Sequence, residues 1–164
     1  MPRKDFARDY ATEAFRFYAK CGKPTYDELK QKMLDEALAL QKNEHSEIKG
    51  GISKPTEQAV LMAEKAVEQK KAELLDIKAV QFVLWKLEQD KKNIVIDCLD
   101  RVYFVDADKE LQKGDISRRV DKATIEIPLS QAQIYRNLQL ARHLFCEERG
   151  IRYKKFFKDD STST

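Results

Sequence analysis

One stretch limits the fold more than any other: the run from Ser130 to Gly150, SQAQIYRNLQLARHLFCEERG, which carries both ends of a helix in its own residues. Ser130 followed three residues later by Gln133 is a capping-box pattern, in which hydroxyl and amide satisfy each other's backbone donors. A helix therefore starts at Gln131. Ile134, Leu138, Ala141 and Phe145 recur at three-to-four spacing along one face, and Gly150 can close the helix in a left-handed cap. The opposite face carries Gln131, Gln133, Arg136 and Asn137. Ahead of it, Ile116, Val120 and Ala123 mark a shorter helix starting from Asp115. Pro128 disfavours helical geometry at Ile127 and ends it.

Two helices joined by such a bend are the outline of a helix-turn-helix, whose second helix enters the major groove of DNA. An ordinary helical hairpin in an all-α domain has the same outline. Charge favours the former. Between Gln112 and Lys158 there are five Lys and six Arg against five Asp or Glu, a net of +6 on a chain that is only +3 overall. A basic end on a nearly balanced chain is the footprint expected of a module that sits on phosphate.

The rest of the chain also reads as helix. Five Gly and four Pro in 164 residues, with Ala, Leu, Glu, Lys and Gln abundant, favour an all-α fold. Phe6, Tyr10, Ala14, Phe17 and Cys21 lie at helical spacing, with Phe15 and Tyr18 widening the apolar face, before Gly22 and Pro24 stop the helix. These rings are expected to pack in a core rather than to stack on bases. Thr25 with Glu28 is a second capping box, and Tyr26, Leu29, Met33, Ala37 and Leu40 give a second stripe that runs out near Glu44. Residues 43–54, with Gly50-Gly51, read as a linker. A long helix is expected from Pro55, capped by Ser53 or Thr56, to about Gln89, with Val60, Ala63, Val67, Lys70, Leu74, Ile77, Gln81 and Leu84 in heptad-like slots. That stripe serves either an internal seam or a homodimer through the 55–90 helix. Ile94, Val95, Cys98, Leu99, Val102 and Tyr103 form the next helix, a scaffold for the two that follow. The expected organisation is a helical pair and linker over 1–54, a connecting helix over 55–90, a DNA-binding module over 91–153, and a basic then polar tail over 154–164 whose end is disordered.

Cys21, Cys98 and Cys146 are too scattered for a disulfide framework or zinc site, and are expected to be buried thiols. His45 and His143 read as isolated surface residues, so neither metal nor cofactor is implied. No apolar run is long enough to span a membrane, and the start MPRKDFARDY lacks the apolar core of a signal peptide, which places the chain in the cytoplasm. Phosphate-cradling and nucleophile motifs are absent from the sequence, so a non-enzymatic binder is expected.

The runs IVIDCLDRVYF, KGDISRRV and IPLSQAQIYRNLQLARHLFCEERGI resemble the sigma factor region-4-like transcription activators of Gram-positive phages, the RinA and ArpU type. The shared positions are the aromatic pair Tyr103-Phe104 closing the scaffold helix, the Ser130 cap, Tyr135-Arg136 and Arg149-Gly150. The opening RDYATEAFRFYAKCGKPT also looks like the start of prophage-encoded proteins of this kind. Ile116 departs from the compact pattern, lying about seven residues further from the Ser cap. Two extra helical turns accommodate that while keeping the apolar face in nearly the same direction.

The resemblance implies a sigma factor-like protein of a bacteriophage, prophage or mobile element that binds double-stranded promoter DNA and contacts bacterial RNA polymerase. An accessory factor for excision, acting on DNA or on a site-specific recombinase, is the alternative, and a protein adaptor with a degenerate helix-turn-helix is the third. For DNA contact the candidates are Arg118, Arg119, Lys122, Ser130, Gln131, Gln133, Tyr135, Arg136, Asn137, Arg142, Lys154 and Lys155.

Overall fold

A computed structural model of the chain describes residues 5–44 and 57–152, the side chains of 42–44 excepted. The expected linker around Gly50-Gly51 and the caps Ser53 and Thr56, together with His45, Lys154, Lys155 and the tail, lie outside the described residues. Within them the fold is all-α: α1 Phe6–Lys20, α2 Tyr26–Glu44, α3 Glu57–Gln69, α4 Lys71–Gln89, α5 Asn93–Val102, α6 Asp115–Glu126 and α7 Gln131–Arg149, with no strand among them. The chain divides into two compact units, one of Met1–Lys23 and Ala79–Thr164 and the other of Pro24–Lys78. The boundaries thus fall between α1 and α2 and within α4.

In the smaller unit α2 packs on α3. Thr25 and Glu28 form the expected reciprocal cap: the Glu28 N–H donates to Thr25 Oγ1 at 3.1 Å, and the Thr25 N–H donates to Glu28 Oε2 at 3.2 Å. Leu29 and Met33 are buried, but Leu40, expected on the same stripe, is 63% exposed. The long helix expected over 55–89 is instead two, parted by a turn at Lys70. Neither Pro nor Gly stands there. The Lys70 N–H bonds the Val67 carbonyl at 2.9 Å, a tighter 3₁₀-type turn that leaves the polar slot exposed between two apolar ones. Ala63, Val67, Leu74 and Ile77 of the expected stripe are buried, whereas Val60, Gln81 and Leu84 are half-buried.

The larger unit is built on α7, which packs against α1, α5 and α6, while α5 and α6 also pack on each other. Ile134, Leu138, Ala141 and Phe145 are fully buried, as their spacing requires. At about 25 cal/mol per Å² of apolar surface, the Ile134, Leu138 and Phe145 side chains each contribute roughly 1.5–3 kcal/mol when fully buried. Gly150 ends α7 at φ 70°, its N–H bonding the Glu147 carbonyl and that of Ile151 the Cys146 carbonyl. This is a Schellman closure, which an L side chain at Gly150 would strain.

The face of α1 differs from the expected one. Ala7, Ala11, Ala14, Phe15 and Tyr18 are buried, whereas Phe6 is 77% exposed. Three alanines let the α1 backbone approach its neighbours closely, and Cys146 Sγ lies 3.9 Å from the Ala7 carbonyl oxygen. The large rings gather beyond them: Phe15 lies 6.0 Å from Tyr103, 6.3 Å from Phe104 and 5.7 Å from Phe145, centroid to centroid. Phe15 of α1 thus meets both the end of α5 and α7.

Candidate functional site

Three of these helices meet around the bend between α6 and α7. Ile127, extended at φ −119° and ψ 140° ahead of Pro128, ends α6 and is itself buried. Ser130 then caps α7: its Oγ accepts from the Gln133 N–H at 3.2 Å, and Gln133 Oε1 accepts from the Ser130 N–H at 2.9 Å. The capping box expected from S-x-x-Q is present in full. It also binds the Gln133 carbonyl oxygen to the backbone, so this side chain first serves the start of the helix.

Beyond the cap, Gln131, Gln133, Tyr135 and Arg136 are exposed on the first half of α7. Tyr135 is 42% exposed, its ring neither buried on the scaffold nor fully solvated. On α6, Arg118, Asp121, Lys122 and Ile125 are exposed as well. The two sets are tied by a hydrogen bond from Gln131 Nε2 to Asp121 Oδ1. Arg118 pairs with Asp115 one turn back on its own helix. The Asp115 carboxylate accepts from the Gln112 N–H at 2.7 Å, which holds it below the usual carboxylate range, with Arg118 and Arg119 acting in the same direction.

Three of the expected contact residues turn inward. Arg119 Nη1 donates to the Val102 carbonyl at 3.0 Å, satisfying one of the open carbonyls at the end of α5. Arg142 Nη1 donates to the Tyr103 hydroxyl at 2.6 Å. Asn137 Nδ2 lies 3.7 Å from Cys98 Sγ, a weak bond between α7 and α5. Arg118, Lys122, Gln131, Gln133, Tyr135 and Arg136 are thus exposed on α6 and α7, whereas Arg119, Asn137 and Arg142 are half-buried and bonded to α5 or its C-cap Tyr103.

Arg16 escaped notice in the sequence. It is 4% exposed, and its fork donates to four carbonyls: Nη1 to Tyr103 at 3.0 Å and Val105 at 3.2 Å, Nη2 to Asp106 at 2.9 Å and Lys109 at 2.6 Å. Desolvation, with Arg119 nearby, lowers its pKa from the ordinary arginine value. Arg16 thereby pins the segment between α5 and α6 to α1. A cleft of about 300 Å³ beside it is lined by Glu13, Phe17, Lys20 and residues 107–111. Asp121 and Ile125 were also missed. A hydropathy pattern treats an acidic side chain on a polar face as solvated, and only the length of the bend brings Asp121 to Gln131. Ile125 lies off the Ile116, Val120, Ala123 stripe, which is why it is 86% exposed.

Elsewhere the chemistry is that of packing. Cys98 and Cys146 are buried and Cys21 is half-buried; burial pushes the Cys146 thiol up to about 11. His143, expected at the surface, is half-buried on α7, where desolvation and then Arg142 lower its pKa. Among the described residues no cluster of three or more His, Cys, Asp or Glu could hold a metal ion. No described helix is long and apolar enough to cross a membrane. Comparison with family models, curated proteins and solved structures gives no significant match.

Proposed function

We propose that α6 and α7 form a helix-turn-helix, that the chain binds duplex DNA through the first half of α7, and that it acts as a sigma region-4-like activator engaging promoter DNA and RNA polymerase. The observation that supports this reading is the polar surface at the start of α7, where Gln131, Tyr135 and Arg136 are exposed and Gln131 bonds Asp121 of α6, the helix that also exposes Arg118 and Lys122. Residues just after the N-cap are the ones that reach base edges in this motif. Arg136 has the planar fork that pairs with guanine or clamps a phosphate, and Arg118 and Lys122 supply charge for the flanking backbone. The inward-turned Arg119, Asn137 and Arg142 support the surface from behind by fixing α6 and α7 to α5.

Activation in particular rests on the resemblance of residues 94–151 to the phage activators. Genome-wide footprinting of the tagged full-length protein in a host carrying its gene, followed by transcription from the footprinted fragments with purified host polymerase, tests both parts. Discrete footprints and protein-dependent transcripts are expected. Footprints without any change in transcription would leave a DNA binder and remove the activator; no footprint at all would remove both.

A further inference from the structure

We infer that Asp121 is a positioning residue for base reading, holding the Gln131 amide in the orientation that selects adenine over guanine; this rests on the proposed DNA-binding surface. Asp121 and Gln131 are exposed on separate helices and joined by the bond from Gln131 Nε2 to Asp121 Oδ1. An ionised carboxylate only accepts, so the amide must turn its nitrogen towards Asp121, and its orientation is fixed by chemistry. A primary amide has two N–H donors and one carbonyl acceptor. With one donor committed to Asp121, one donor and one acceptor remain, the set that adenine N7 and N6 require. Guanine presents two acceptors, O6 and N7, to the major groove. An unheld glutamine can turn both N–H groups towards them; one tied to Asp121 cannot. The bond also restrains a side chain with three rotatable torsions at the first position of α7, where an unrestrained amide would lose more freedom on meeting a base.

The same carboxylate has a second effect. It lies on the outer face of α6 between Arg118 and Lys122, where it opposes phosphate and weakens binding to every sequence alike. Asp121 therefore trades general affinity for discrimination, and two substitutions separate the effects. Asp121→Asn removes the charge and replaces an acceptor-only group with an amide that can both accept and donate, while Asp121→Ala removes charge and acceptor together. Both residues are exposed, so neither substitution opens a core cavity.

The test is selection of full-length protein on a random-sequence duplex pool, followed by titration of wild type, Asp121→Asn, Asp121→Ala, Gln131→Ala and the Asp121→Ala/Gln131→Ala pair. The probes are the enriched duplex, the same duplex with G·C replacing A·T at the Gln131-dependent position, and one with 7-deazaadenine there. Wild type is expected to prefer adenine over guanine by roughly five- to 150-fold, the range of one good paired base contact, and to lose affinity on 7-deazaadenine. Asp121→Ala should bind scrambled DNA more tightly yet lose most of the preference, and the double variant should discriminate no less than Gln131→Ala alone. Asp121→Asn should also bind scrambled DNA more tightly, and because its amide can meet Gln131 in either orientation it should keep less of the preference than wild type but more than Asp121→Ala. An unchanged adenine preference in Asp121→Ala, or one in Asp121→Asn as full as in wild type, overturns the inference while leaving DNA binding intact. A wild type that enriches no sequence overturns the DNA reading with it.

Discussion

Replacing Arg16 with methionine keeps an unbranched apolar stem and deletes the fork that bonds four backbone carbonyls. Hydrogen bonds to charged groups are each worth about 1.5–3 kcal/mol, but four such values do not add here. Val105, Asp106 and Lys109 are exposed, so their carbonyls can recover water, whereas Tyr103 is 2% exposed and its carbonyl cannot do so easily. The guanidinium also carries a desolvation cost that methionine avoids. A loss of about 2–4 kcal/mol is expected, most of it from Tyr103 and from release of residues 103–110. For a chain of this length that corresponds to a melting temperature lower by roughly 4–16 °C. Arg16→Lys should lie between, because an ammonium lacks the planar fork that spans both ends of the segment. Urea titration followed by far-ultraviolet circular dichroism, with hydrogen exchange at residues 103–110, measures both effects. A methionine variant within about 0.5 kcal/mol of wild type and with unchanged exchange would refute the pinning role.

Ser130→Ala removes the acceptor of the Gln133 N–H and should cost roughly 1 kcal/mol in denaturant titration. Gln133→Ala should lower stability through the other half of that cap, so its loss of DNA affinity should be similar on specific and scrambled duplexes, in contrast to a variant of a base-reading residue. Leu74→Lys places a charge where only 3% of the residue is exposed; it should destabilise the smaller unit by about 3 kcal/mol or more without changing the sedimentation of the folded fraction, and a change of assembly state in a stable protein would instead identify the stripe as an intermolecular seam. The Cys146 thiol stays protonated in the folded chain to about pH 11 while an exposed thiol ionises around 8.5–9. Its contribution to stability is therefore fully present below pH 9 and lost as pH rises from 9 towards 11, which denaturation midpoints of wild type and Cys146→Ala compared across that range would report.

Local signals made the end of the chain readable before any coordinates. Ser130, Gln133 and Gly150 each act within a few residues of themselves, so cap, helix and closure could be read directly from their spacing, as could the Thr25 box. The face of α1 was less legible, because Ala7 and Ala11 carry little hydrophobic weight in a periodicity count although their small size is what allows close packing. Lys70 gives no breaker residue to read, so the interruption between α3 and α4 could not be anticipated. For the candidate surface, composition counted every basic residue as available, and only tertiary structure distinguishes Arg118, Lys122 and Arg136 on the outside from Arg119 and Arg142 bonded within. Arg16 lay beyond reach altogether, since its four partners are backbone atoms of a segment almost ninety residues away.

The central claim is that the outer faces of α6 and α7 meet DNA, and the salt dependence of binding tests it most directly. Equilibrium titrations of wild type, Lys122→Ala, Arg136→Ala and Arg142→Met on one footprinted duplex, between low and physiological salt, give the slope of log affinity against log salt for each. Lys122→Ala should flatten the slope by about one, the release expected for one phosphate contact. Arg136→Ala should either do the same or, if it reads guanine, lose roughly 1–3 kcal/mol on the specific site alone. Arg142→Met, whose fork bonds the Tyr103 hydroxyl, should leave the slope unchanged. A wild-type affinity indifferent to salt, or a slope altered by Arg142→Met and untouched by Lys122→Ala, would contradict the account.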